Sequence, residues 1–276
     1  MRFHKWNGLG NDFIIIPPGE GGTADLARLA PAWCDRHRGI GADGIVTLEE
    51  LGGGAFRMRI FNSDGSEAGM CGNATRCVAL FLQRLYGMNN CELHTRSTVV
   101  KPRVVAAGKV EVDMGLPRFR RGEIPVAGDA DAEARELELE TASGTFTAFA
   151  VSMGNPHAVV FVGDAENFPV SAVGPRLEKH PRFPDRCNIE FAQIVDRRTI
   201  RMRVWERGCG ITLACGTGSC ATAVAAVERG LVEPEVTLIL DGGSLDIAYT
   251  PGGHVFMTGP ATEVFHGEIQ EIADHE

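Results

Sequence analysis

The chain repeats itself at a fixed distance, and that constrains its fold more than any other feature. Residues 57–61 read Arg-Met-Arg-Ile-Phe, and residues 201–205 read Arg-Met-Arg-Val-Trp. Each run leads into a Cys-Gly pair, Cys71-Gly72 in the first half and Cys215-Gly216 in the second. Gly10-Asn11 precedes Gly154-Asn155 by the same 144 positions. Glycines recur by chance, but three pieces in one register do not. The expectation is two copies of one unit, each with a cysteine at the same place. A length of 276 residues suits roughly two domains.

Local patterns agree. Residues 10–16 read as a turn entering a buried strand, and residues 24–38 as a helix with apolar positions 26, 29, 30 and 33. Residues 55–61 alternate in strand period. Residues 73–86 are apolar nearly all round and stop at Gly87, which predicts a helix inside a domain. Short strands are expected at 91–95 and 110–114. Residues 115–125, with Gly, Pro and Arg, read as an inter-domain linker, and 127–136 as a solvated acidic loop. The order then repeats. A turn and strand cover 153–162, strands cover 188–195 and 200–205, and an Ala-rich helix covers 217–229, ending at Gly230. Strands at 236–240, 245–249 and 254–258 complete the chain.

Composition excludes several classes. The net charge is −9 and the pI about 5.4, without a basic stripe, so nucleic acid is not an expected partner. The first residues lack a signal peptide's apolar stretch, and no apolar run approaches the roughly 20 residues of a membrane helix. The chain reads as soluble and cytoplasmic. Its eight cysteines are expected to be reduced there. Their spacings, such as Cys71-x5-Cys77 and Cys215-x4-Cys220, do not fit a zinc site, so no metal is expected.

Cys71 and Cys215 each sit just before a predicted helix. Backbone N–H groups and the positive end of the helix dipole point there, which lowers a thiol's pKa and cradles a carboxylate. Gly72 and Gly216 admit a ligand close to the backbone, and Asn73 and Thr217 add donors. One such thiol could be a nucleophile, with His157 of Gly-Asn-Pro-His as its base. Two at duplicated positions suit stereoinversion at an acidic carbon, one thiolate removing the α-proton and the opposite thiol returning one. Cys77 and Cys220 fall on inner helix faces and read as core. Asn62 and Glu206 share the offset, as do Asn11 and Asn155. Asn188 stands 144 positions after Gly44, and Arg207 follows Glu206.

At these residues the sequence closely resembles diaminopimelate epimerases. The matching pieces are Gly8-Leu9-Gly10-Asn11-Asp12-Phe13, Phe61 to Glu67, Met70-Cys71-Gly72-Asn73, Met153-Gly154-Asn155-Pro156-His157, Asn188-Ile189-Glu190-Phe191 and Trp205-Glu206-Arg207-Gly208, leading to Ala214-Cys215-Gly216-Thr217-Gly218. The resemblance implies an α+β fold of two pseudo-symmetric domains, each a mixed β-sheet barrel around a central α-helix, with the active site in the cleft between them. It places an N-terminal domain at 1–116, joined again by 261–276, and a C-terminal domain at 117–260. It implies a homodimeric epimerase of 2,6-diaminopimelate in lysine biosynthesis, without pyridoxal phosphate or other cofactor. Carried over, Cys71 and Cys215 are the acid–base pair, assisted by His157 and Glu206. Asn11, Gly72, Asn73, Gly216 and Thr217 hold the reacting centre. Asn62, Asn155, Asn188 and Arg207, with Glu206, hold the rest of the substrate. Some members have Gln at Gly44 and Gly at Ala74. A two-cysteine amino-acid racemase of the proline racemase kind, a single-cysteine nucleophilic enzyme and a binding protein that kept the fold are the alternatives.

Overall fold

The computed structural model describes residues 1–20 and 25–269. The chain divides into two compact units, Met1–Val112 with Gly259–Glu276, and Asp113–Thr258; residues 270–276, part of the stretch expected to rejoin the first domain, lie outside the described residues.

Unit 1 holds β1 (Arg2–Gly8), β2 (Asn11–Ile16), α1 (Leu26–Cys34), β3 (Gly44–Gly52), β4 (Ala55–Asn62), β5 (Glu67–Ala68), α2 (Gly72–Tyr86), β6 (Glu92–His94), β7 (Val99–Val100), β8 (Arg103–Ala106) and β9 (Lys109–Asp113). Its sheet runs β1-β2-β3-β4-β6-β7, with β5 beside β4 and β8–β9 as a hairpin. The C-terminal strand Thr262–Glu268 pairs antiparallel with β1. Unit 2 holds β10 (Leu137–Thr141), β11 (Gly144–Ser152), β12 (Pro156–Phe161), α3 (Val170–Glu178), β13 (Asn188–Asp196), β14 (Thr199–Glu206), β15 (Gly210–Ile211), α4 (Gly216–Glu228), β16 (Glu235–Leu240), β17 (Gly243–Tyr249) and all but the last two residues of β18 (Val255–Pro260). Its strands run β10-β11-β12-β13-β14-β16-β17-β18, with β15 beside β14.

The duplication is visible in the strand registers. β2 and β3 are parallel with Phe13 opposite Gly44, and β12 and β13 are parallel with His157 opposite Asn188. Ile45 faces Phe61 as Ile189 faces Trp205. Phe61 faces Glu67 as Trp205 faces Ile211. Helices α2 and α4 begin at Gly72 and Gly216, again 144 residues apart. The architecture is α+β, two pseudo-symmetric mixed sheets with a helix at the heart of each.

Both central helices are buried because their sequences are apolar on most sides. In α2, Cys77, Val78, Phe81 and Leu82 are buried, and in α4 the run Cys220–Ala226 is buried throughout. The small side chains of α4 let β11–β14, β16 and β17 close round it. Gly87 ends α2 in the left-handed conformation, φ 71°, and donates to Gln83 O at 2.8 Å. Ile14, Ile16, Trp33, Ile45 and Phe61 form a core in unit 1, and Leu139, Val160, Leu177, Ile189 and Phe191 one in unit 2.

Three expectations need correction. The helix expected over 24–38 is confined to Leu26–Cys34; Asp35 turns extended, with its carboxylate accepting from the His37 and Arg38 N–H groups, and residue 24 lies outside the described residues. Residues 115–125 are docked on unit 2. Arg118 exchanges backbone hydrogen bonds with Ser152 of β11 at 3.0 and 2.9 Å, and Ile124 is fully buried. Within the acidic loop, Ala134 is fully buried and accepts from the Ala150 N–H, so that end is not solvated.

Candidate active site

Cys71 is the N-cap of α2, with extended backbone at φ −144° and ψ 117°. Its side chain is half-buried. The sulfur lies 3.7 Å from Asn11 Oδ1, which also accepts from Asn73 Nδ2 at 3.1 Å. Asn11 Nδ2 donates to Asp43 Oδ2 at 2.7 Å, so both ends of this amide are held. Asn73 Oδ1 accepts from Arg76 Nη2 at 2.8 Å. Arg76 is wholly buried and donates through Nε to Pro260 O at 3.2 Å. Gly8 lets β1 pass this group, for a Cβ there would come within 3.2 Å of Arg76 Nη2 and Asn73 O. The loop carrying Asn11 is anchored next door. Burial would raise the Asp12 carboxyl, but hydrogen bonds from Arg36 and Lys5 outweigh it and hold the group at about 2.

Cys215 caps α4 in the same way, at φ −124° and ψ 111°. It is buried, 6% exposed, and its sulfur accepts from the Gly218 N–H at 3.3 Å and lies 3.6 Å from Thr217 Oγ1. The expected lowering of the pKa is reversed here. Burial pushes the thiol well up, the carboxylate of Glu206 pushes it further, as Glu190 does when it is ionised, and the donors from Thr217 and Gly218 only partly offset them. Asn155 Nδ2 donates to Thr217 Oγ1 at 3.3 Å, and its Oδ1 lies 3.0 Å from His157 Nε2. His157 Nδ1 lies 2.7 Å from Glu190 Oε1, and both side chains are fully buried. Glu206 is largely buried, which raises its carboxyl, while Thr212 Oγ1 donates to its Oε1.

The turn after β14 is tied from two sides. Asn188 Oδ1 accepts from the Arg207 N–H at 2.9 Å while its Nδ2 donates to Pro156 O at 2.8 Å. Glu178 accepts from Trp205 Nε1 at 2.8 Å and from the Gly208 N–H at 3.0 Å. Arg207 is exposed, with its guanidinium on Asp185 O at 3.2 Å. Asn62 is exposed and donates to Ser66 Oγ within its own turn at 2.9 Å. Gly72 and Gly216 are the buried first residues of their helices. At Gly44 a Cβ would come within 2.6 Å of Phe61 O, so no side chain fits there on this backbone.

The structure thus gathers Asn11, Asn73 and Cys71 in unit 1, and Asn155, His157, Glu206, Thr217 and Cys215 in unit 2. Sequence reasoning missed Arg76, Glu178 and Glu190. Arg76 had a readable signal, being a charged residue within a helix expected to be buried. Cys77 and Cys220 are fully buried, and burial raises the Cys77 thiol to about 12. Among the described residues, one cluster could hold a metal, His4, Glu263 and His266, and it includes neither thiol; Glu263 is paired with Arg84. A groove of about 750 Å³ in unit 1 is bordered by Asp25, Arg57 and Arg59, and one of about 600 Å³ in unit 2 by Phe146, Phe161 and Arg229. Neither touches a Cys-Gly pair.

The fold is shared with solved structures of differing description. A crystal structure described as a hydroxyproline epimerase from Agrobacterium vitis superposes with a TM-score of 0.69 at 15% identity, covering 98% of this chain and 90% of that one. Sequence similarity shows the family. The family model for diaminopimelate epimerase matches residues 3–120 and 149–264. The diaminopimelate epimerase of Magnetococcus marinus is 47% identical over 270 residues, covering 97% of this chain and 96% of that protein. Diaminopimelate epimerase 1 of a Nostoc species is 47% identical over 277 residues, covering 98% and 99%. The chain belongs to the diaminopimelate epimerase family.

Proposed function

We propose that this chain interconverts LL- and meso-2,6-diaminopimelate, with Cys71 and Cys215 as its two proton carriers. The observation that carries this reading is the pair of cysteines at the caps of duplicated helices, in a chain of this family. An α-carbon beside a carboxylate loses its proton only if the developing charge is stabilised. First-turn N–H groups of a helix have no carbonyl four residues back and suit that carboxylate. One thiolate removes the α-proton, and the other thiol protonates the opposite face. His157 and Glu206 assist at Cys215. Asn11, Asn73, Gly72, Gly216 and Thr217 hold the reacting centre. Asn62, Asn155, Asn188 and Arg207 select the distal amino-acid group, which a proline-type substrate lacks.

The geometry disfavours a single Cys–His nucleophile. Both ring nitrogens of His157 face oxygen, Nδ1 on Glu190 and Nε2 on Asn155, and neither faces a sulfur. The reading includes a cytoplasmic homodimer that needs neither pyridoxal phosphate nor metal. Among the described residues, no helix is long and apolar enough to cross a membrane. The test is incubation of pure protein with LL-diaminopimelate and chiral chromatography of the product. Appearance of the meso isomer, with proline left unchanged, is expected; proline racemisation without meso product would overturn the substrate.

A further inference from the structure

Glu190 is fully buried, and no step above uses it. Its Oε2 has no hydrogen-bond partner among the described residues. Its Oε1 begins a line of contacts that ends on the sulfur of Cys215. The line runs to His157 Nδ1 at 2.7 Å, from Nε2 to Asn155 Oδ1 at 3.0 Å, from Asn155 Nδ2 to Thr217 Oγ1 at 3.3 Å, and from Oγ1 to Cys215 Sγ at 3.6 Å.

Asn155 fixes the direction. Its Oδ1 faces His157 and can only accept, so Nε2 carries a hydrogen. Its Nδ2 donates to the Thr217 oxygen, which leaves the Thr217 hydrogen for the sulfur. At the other end a proton must lie between Nδ1 and Oε1, or two lone pairs would oppose each other. Imidazolium with carboxylate would leave Oε2 as a buried anionic oxygen without a donor. Neutral imidazole with carboxylic acid leaves only a carbonyl oxygen there, which costs far less.

The surroundings favour the second arrangement. Glu206 of β14, Cys187 before β13 and Cys215 at the head of α4 face Glu190 with negative or neutral groups, and among the described residues His157 of β12 is the basic group that acts on it. Burial raises the Glu190 carboxyl in the same sense.

We propose that Glu190 is a positioning residue held as a neutral carboxylic acid, which donates to His157 Nδ1 and so points the chain His157–Asn155–Thr217 toward the Cys215 sulfur. The inference rests on the reading of Cys215 as a proton carrier. Aligned hydrogen bonds polarise one another, so the last donor is best prepared for a thiolate. Loss of the Glu190 proton reverses the line. His157 then carries its hydrogen on Nδ1, Nε2 accepts, Asn155 turns its amide, and Thr217 donates away from the sulfur. The thiolate loses a donor and faces a second carboxylate.

Two further observations fit. Position 218 is glycine, and a Cβ there would come within 2.7 Å of Glu190 Oε1. The matching residue of α2 is Ala74, which is fully buried, and the residue matching Glu190 is Val46. The positions matched in unit 1 therefore do not repeat the device.

The test combines Glu190→Gln, Glu190→Leu and the unaltered protein. In the unaltered protein, ¹⁵N spectra of His157 are expected to show hydrogen on Nε2 and none on Nδ1 at neutral pH. Iodoacetamide labelling of Cys215, resolved by peptide mass, should proceed within about twofold of the parent rate in Glu190→Gln, whose amide can still donate. In Glu190→Leu it should slow about tenfold, the scale of one lost hydrogen bond. Protonated Nδ1 in the parent, or Glu190→Gln as slow as Glu190→Leu, overturns the proposal; the spectrum decides even if Glu190→Leu does not fold. If labelling follows the expectation while epimerisation is indifferent to Glu190→Leu, the inference stands and the role of Cys215 falls.

Discussion

Cys71 and Cys215 both cap a central helix from extended backbone, at φ −144° and −124°, yet the groups around the two sulfurs have diverged. On the Cys71 side Asn11 lies against the sulfur, Asn73 donates to Asn11, and the buried Arg76 steadies Asn73. The position matching Arg76 in α4 is Cys220, which is core. Around Cys215 stand His157, Glu190 and Glu206, and the matching residues of unit 1 are Phe13, Val46 and Asn62. The duplication has kept what backbone geometry supplies, a helix start with its N–H groups and strands that bring Asn11 or Asn155 beside it. It has not kept the titratable groups. At Cys215 burial and these groups hold the thiol's proton tightly.

If both thiols carry protons, this unequal setting should not make either dispensable. Cys71→Ala and Cys215→Ala should each lower kcat by at least about 10²-fold, since a general acid or base contributes roughly 10²–10⁴. Circular dichroism should remain that of the parent. A variant that keeps most of the rate would show one site to be a relic of duplication.

Arg76→Met removes the cation that steadies the Cys71 side. It leaves Asn73 Oδ1 and Pro260 O without that donor, so it should cost at least about 2 kcal/mol in urea unfolding and lower kcat/KM. Cys220→Ala, at the matching place in α4, should leave kcat/KM near the parent's. Equal effects on kcat/KM would show that Arg76 serves only as core.

Glu206→Gln sharpens the other side. Removing that carboxylate takes away a cause of the high Cys215 thiol pKa, so iodoacetamide labelling of Cys215 should begin at lower pH. An upward move would contradict the assigned electrostatics.

The smallest effect concerns Asp12, which anchors the Asn11 loop and whose counterpart is Pro156. Its folded pKa, about 2, lies below the unfolded value, so its stabilisation is present above about pH 4 and is lost as pH falls toward 2. Asp12→Asn should cost about 2 kcal/mol at neutral pH, and much less near pH 2. A pH-independent difference in thermal melting would remove the ion pair with Lys5 and Arg36 from the account.

Much of this was legible in the sequence because it rests on period and punctuation. The fixed offset gave the duplication, and the apolar run ending at Gly87 gave α2. Helix α3 was missed because Gly174 and Pro175 lie inside it. The glycine is there for packing, since a Cβ would meet the Trp205 side chain at 2.6 Å. The two cysteines and their neighbouring asparagines stood out through repetition. Arg76, Glu178 and Glu190 have no matching polar partner in the other unit, so repetition could not reveal them. Their partners are brought from distant strands, as His157 is to Glu190.

The central claim is that two separate groups handle the proton on two faces of one carbon. The direct measurement is epimerisation of LL-diaminopimelate in D₂O, followed at early times by mass spectrometry of the separated isomers. The account predicts deuterium in the meso product at the inverted carbon, while the remaining LL-substrate stays unlabelled, because the base that removes the proton does not supply the new one. Deuterium entering the recovered substrate as fast as the product would mean one exchanging base, and would contradict the two-thiol account.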